Sequence, residues 1–110
     1  MENFELENYI TKAQEELARD IKSYLEQKSP EAVIWDDCDS ALVGTARLLR
    51  EDHWREVAMY DYELLVQNFM YEFRAEDKTE SEVEQEAIEW VDHNISSVWV
   101  GPFTPLILYN

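Results

Sequence analysis

Glu56-Val57-Ala58-Met59-Tyr60-Asp61-Tyr62, followed by Leu64, Leu65, Phe69, Met70 and Phe73, holds both of the periodicities from which the architecture follows. Through Tyr62 the run is rich in apolar and aromatic residues and reads as a strand. From Leu64 the apolar residues recur at three- and four-residue intervals, the spacing of one helix face. The helix fades between Arg74 and Lys78. A strand feeding directly into a helix makes this a mixed α and β chain.

Working outward towards the N-terminus, Ala41-Leu42-Val43-Gly44-Thr45-Ala46 reads as a strand. Ala32-Val33-Ile34-Trp35 reads as a short buried strand closed by the polar turn Asp36-Asp37-Cys38-Asp39-Ser40. Before it, Leu6, Ile10, Ala13, Leu17, Ile21 and Tyr24 form the stripe of an amphipathic helix from about Asn3 to Gln27. Ser29-Pro30 ends this helix, because proline lacks a backbone donor and disfavours α geometry in the residue before it. Towards the C-terminus, Thr79 with Glu82, or Ser81 with Glu84, fits a capping box. A third helix follows, with Val83, Ala87, Trp90, Val91 and Ile95 on its apolar face. Val98-Trp99-Val100 and Leu106-Ile107-Leu108 then flank the rigid turn Gly101-Pro102-Phe103-Thr104-Pro105.

The expected order is therefore α-β-β-β-α-α-β. It implies an α+β fold with a small sheet of three to four short strands and helices packed on one face. Residues 1–110 form one domain, whose N-terminal helix, residues 1–28, is either docked on the domain or pairs with its own copy in a homodimer.

Composition narrows the function. The chain has 25 Asp and Glu against 9 Lys and Arg, a net charge of −16. That sign excludes direct binding of duplex nucleic acid. A content of 45% hydrophobic and 13% aromatic residues excludes a disordered acidic tail. Cys38 is the only cysteine, so no internal disulfide forms, and a reducing cytoplasm is the expected compartment. No signal peptide is expected, since acids stand where its basic residues belong. No segment supplies the roughly 20 apolar residues of a membrane helix.

The charge is unevenly placed. Residues 1–30 carry 7 acids and 4 bases, residues 31–60 carry 7 and 3, and residues 61–110 carry 11 and 2. Glu76, Asp77, Glu80, Glu82, Glu84, Glu86, Glu89 and Asp92 are opposed within their own stretch only by Lys78. On a helix Glu82, Glu86 and Glu89 stack along one side and Glu80 and Glu84 form a neighbouring row, with carboxylates about 5–6 Å apart. That spacing approximates the charge repeat of a nucleic-acid backbone. Two readings stay open: a solvated helix face built from a good helix former, or a surface that imitates nucleic acid.

Catalytic signals are sparse. Asp36, Asp37 and Asp39 are weak candidates for holding Mg²⁺ or Ca²⁺, against a turn whose Asp side chains bond their own backbone. His53 falls in a charged loop, and His93 at the end of the third helix complements its dipole. Cys38, flanked by acids, is expected to hold its proton and to act as filler. There is no phosphate loop and no nucleophile-base pair, so the chain is expected to be neither an enzyme nor a cofactor carrier. Trp35, Trp90 and Trp99 fit core positions. Trp54, among Glu51, Asp52, His53, Arg55 and Glu56, is the candidate interface anchor.

One resemblance adds a setting. Val57 to Tyr62, Ala87-Ile88-Glu89-Trp90-Val91-Asp92-His93-Asn94-Ile95, Val98-Trp99-Val100-Gly101 and Thr104-Pro105-Leu106-Ile107-Leu108 resemble a functionally uncharacterised group of small phage and bacterial proteins, which share the C-terminal aromatic-Val-Gly and Thr-Pro pattern. The resemblance covers Val57 to Leu108, and Asp36 to Gly44 more loosely. Pro102 and the long N-terminal helix depart from the pattern. It implies a phage or mobile-element origin, where small acidic proteins block host nucleic-acid enzymes, and it carries over no site residue. The functional expectation is an anti-defence inhibitor in the bacterial cytoplasm, occupying the basic groove of a restriction or CRISPR nuclease as a DNA or RNA mimic. The alternative is an assembly or adaptor module whose acidity only confers solubility.

Overall fold

A computed structural model describes residues 2–109, with side chains from Lys12 onward. The elements are α1 (Glu2–Lys28), β1 (Leu42–Arg50), β2 (His53–Asp61), α2 (Tyr62–Phe73), α3 (Glu80–Val91) and β3 (Leu106–Leu108). A 3-10 turn at Asp39–Ala41 precedes β1, and a π-helical turn at Asp92–Ser96 ends α3. The fold is α+β. Its three-stranded sheet has the order β1-β2-β3, with β1 and β2 antiparallel and β2 and β3 parallel.

The strand-to-helix switch occurs at Asp61. Its carboxylate accepts the Leu64 N–H at 2.9 Å, so the last residue of β2 is also the N-cap of α2. The core fills the space between sheet and helices. Ala18, Ile21 and Leu25 of α1, Leu42, Ala58 and Tyr60 of the sheet, Leu65, Val66 and Phe69 of α2, and Ala87 and Val91 of α3 are all buried in it. The other face of the hairpin carries Arg55 and Val57 and meets the C-terminal loop. There the Arg55 guanidinium lies 5.1 Å from the Phe103 ring centre, and Arg50 donates to the carbonyls of Pro102 and Thr104 at 2.9 and 2.6 Å.

Three expectations are corrected. Ala32–Trp35 forms no strand. Its backbone bonds go to a loop and a side chain, Val33 N–H to the Phe103 carbonyl at 3.2 Å and Trp35 N–H to the Tyr60 hydroxyl at 3.0 Å. β2 already has β1 on one side and β3 on the other and offers no edge to a fourth strand. Val98–Val100 is outside the sheet, and the Val100 N–H is taken by the Thr104 hydroxyl at 2.9 Å. His53 and Trp54 begin β2 rather than standing in a loop. Finally, Ala13, Leu17 and Tyr24 of the expected α1 stripe are exposed, and the buried line runs through Ala18, Ile21 and Leu25. Leu6 and Ile10 fall outside the residues whose side chains are described.

The hairpin was hidden by its turn. Arg50 pairs with His53, leaving Glu51 and Asp52 as a two-residue loop, with φ of 51° and 66°. Both lie in the left-handed region that a tight hairpin needs and that Asn-Gly supplies at least cost. Replacing Glu51-Asp52 by Asn-Gly is expected to stabilise the fold by about 1 kcal/mol, since left-handed geometry costs an L-residue roughly that much. A thermal melt checks this; an unchanged or lowered midpoint would contradict the turn geometry.

Candidate interaction surfaces

α3 begins where Thr79 accepts the Glu82 N–H on its hydroxyl at 3.2 Å, which makes Thr79 rather than Ser81 the N-cap. Val83, Ala87 and Val91 turn inward, so Glu80, Glu82, Glu84, Glu86, Glu89 and Asp92 are all exposed. Glu76 and Asp77, in the connection from α2, are exposed as well. Among the described residues two cations touch this group: Arg74 pairs with Glu80 at 3.1 Å and Lys78 with Glu86 at 2.8 Å. Glu89 accepts from Gln85 at 3.1 Å, and Asp92 accepts from the Tyr62 hydroxyl at 2.7 Å. Among the described residues, Glu76, Asp77, Glu82 and Glu84 have no such partner. Exposed pairs of this kind contribute under about 1 kcal/mol each, so the row remains a strongly negative surface.

Trp54 is not part of that row. It is 61% exposed on β2, across from Leu49 of β1, which is 60% exposed. The Arg47 guanidinium lies 5.6 Å from its ring centre. The neighbouring groove, about 530 Å³, is lined by Lys28, Arg47, Arg55, Trp54 and Phe103 together with Glu31 and Glu56. The molecule therefore has two contrasting surfaces, a carboxylate row on α3 and an aromatic, arginine-bearing hairpin end. Sequence reasoning missed Arg47 and Leu49, because they become neighbours of Trp54 only once the hairpin register is known. Trp90 and Trp99 are also more exposed than expected. Trp90 packs its ring against Phe69 and Phe73 at 5.9 Å, and Arg50 lies 4.9 Å from the Trp99 ring centre.

The Asp36–Asp39 turn is occupied by its own chain. Asp39 is bound by Lys22 at 2.6 Å, and the Asp37 carbonyl accepts from the Asn68 amide at 2.9 Å. Asp37 has φ of 58°, the geometry of a tight turn. An open groove of about 700 Å³ beside it, between α1 and α2, is lined by Gln14, Asp37, Asp39, Ser40, Asn68 and Glu72. Among the described residues no three His, Cys, Asp or Glu side chains group to hold a metal ion.

Comparison with protein-family models, with curated proteins and with solved structures finds no match. The geometry of the two surfaces therefore carries the functional reading. No described helix is long and apolar enough to cross a membrane.

Cys38 lies beneath the turn, 1% exposed. Burial first, and then the charges of Asp37, Glu72, Asp39 and Asp36, push its thiol up to about 11. Burial also raises the Tyr60 hydroxyl above its usual value. Both groups keep their protons in the folded chain at pH values where the unfolded chain loses them. The folded state then binds more protons, so stability is full below the ordinary thiol value of 9.0 and falls as pH rises beyond it. The urea midpoint is expected to drop between about pH 8 and about pH 10.5. A midpoint that rises over that interval would contradict the burial of these two groups.

Proposed function

We propose that this protein is a non-enzymatic inhibitor that occupies the cationic nucleic-acid site of a nucleic-acid-handling protein. The observation that carries the reading is the solvent side of α3, where Glu80, Glu82, Glu84, Glu86, Glu89 and Asp92 stand exposed and, among the described residues, form ion pairs with Lys78 and Arg74 alone. Carboxylates in such a row pair with the lysines and arginines that otherwise hold phosphates. The long-range field of a chain at −16 speeds encounter. A basic enzyme of the restriction or CRISPR nuclease class, met in a bacterial cytoplasm by a phage-encoded protein, is the partner this chemistry suits.

The test is retention of host proteins on the immobilised chain at low salt. A partner that elutes steeply with salt, and is displaced by added DNA or RNA, supports the reading. Partners insensitive to both would overturn it. They would favour the second reading, an assembly module, for which the exposure of Trp54 and Leu49 is the specific observation.

A further inference from the structure

β1 is an edge strand of nine residues with β2 on one side and, among the described residues, no strand on the other. Because Arg50 and His53 close a two-residue hairpin, they form a hydrogen-bonded pair, and the ladder alternates from there. Arg50, Leu48, Ala46 and Gly44 spend their backbone groups on β2. Thr45, Arg47 and Leu49 direct theirs outward. Among the described residues no backbone or side-chain group bonds to the N–H or carbonyl of these three. An open edge of this length is a template for another strand.

Two features select the strand. Ala41–Arg50 contains no acidic residue, in a chain where acids outnumber bases 25 to 9, so two copies can meet along it without carboxylate repulsion. The exposed Tyr24 of α1 also lies beside it. Leu17 and Tyr24, seven residues apart, share one side of the helix, and Tyr24 is close enough to Glu56 and Arg47 for both to shift its titration.

We propose that β1 pairs antiparallel with β1 of a second copy, joining two sheets into one of six strands around a two-fold axis at Ala46. This register sets Arg47 of each copy opposite Thr45 of the other and keeps the two arginines apart. It also supplies charge complementarity. The Thr45 hydroxyl donates to the Glu56 carboxylate at 3.1 Å, so the incoming Arg47 arrives beside a carboxylate. Among the described residues Arg47 forms no ion pair within its own chain, where it stands opposite Glu56 in the hairpin and rests on Trp54. The two α1 helices then run side by side on one face of the joined sheet, with Leu17 and Tyr24 between them. The inference is independent of the role assigned to α3.

Sedimentation equilibrium and amide hydrogen exchange of the intact chain test it together. The mass is expected to double from 13.1 kDa as concentration rises. Exchange at Thr45, Arg47 and Leu49 is expected to slow in step with the dimer fraction. Arg47→Pro removes one outward N–H that β2 does not use and is expected to return the folded chain to monomer. Arg47→Ala keeps that N–H and is expected to retain part of the association. A monomer at every concentration overturns the proposal, as does a dimer in which these three amides still exchange as fast as in the monomer. The exchange result stands even where the proline variant fails to fold.

Discussion

Replacing Glu82, Glu86 and Glu89 together by lysine is expected to abolish partner binding while leaving the fold intact. The substitution moves the net charge from −16 to −10, since each change adds two units. It also leaves three carboxylates, Glu80, Glu84 and Asp92, against three lysines on the solvent side of α3, so that side loses its net negative charge. Losing one close charge pair costs about 1.5 kcal/mol or more at an interface, and three together weaken binding on the order of 1,000-fold. Folding is affected little. All three positions are exposed, lysine and glutamate have similar helix propensity, and the lost Lys78–Glu86 pair is worth under about 1 kcal/mol. Circular dichroism and partner retention, measured on the same preparation, check both halves. A folded variant that binds as well as the parent would show that the row only solvates the helix.

The largest expected effect on stability comes from Leu65. It is fully buried on α2 within the cluster that joins the sheet to the helices. Leu65→Ala removes buried methyl groups and leaves a cavity, at a cost of about 3 kcal/mol. For a chain of this size that lowers the melting midpoint by roughly 10–20 °C. Leu49→Ala is the matched comparison, because the same side chain is 60% exposed there and its loss is expected to cost under about 0.5 kcal/mol. Equal losses from the two variants would contradict the placement of the core. The pair also separates function from folding, since Leu49 lies on the hairpin surface and Leu65 does not.

Much of this was legible because local chemistry and tertiary packing agree. The Asp61 switch shows in the change of apolar period, and Thr79 with Glu82 marks the start of α3. The α3 carboxylates could be placed on its solvent side because Val83, Ala87 and Val91 fix the opposite side. Where reading failed, the deciding term lay outside the segment. Ala32–Trp35 has the composition of a strand, yet its backbone donors are taken by the Phe103 carbonyl and the Tyr60 hydroxyl, partners that come from distant parts of the chain. Glu51-Asp52 lacks the glycine or asparagine that announces a hairpin, so the sequence pattern alone gives strands that are too short and leaves His53 and Trp54 in a loop. The α1 stripe was rotated by about one position, because Ala18 and Leu25 serve the core as well as Leu17 and Tyr24 would, and only packing against β1 and β2 decides between them. The hairpin surface became visible only with the register that sets Leu49 against Trp54.

The most direct measurement is competition at a captured partner. The protein is titrated into that partner already holding a fluorescent DNA or RNA, at low and at moderate salt. Stoichiometric release of the nucleic acid, weakening as salt rises and absent for the triple lysine variant, is the expected result. Formation of a ternary complex in which protein and nucleic acid are bound together would contradict occupancy of the same site.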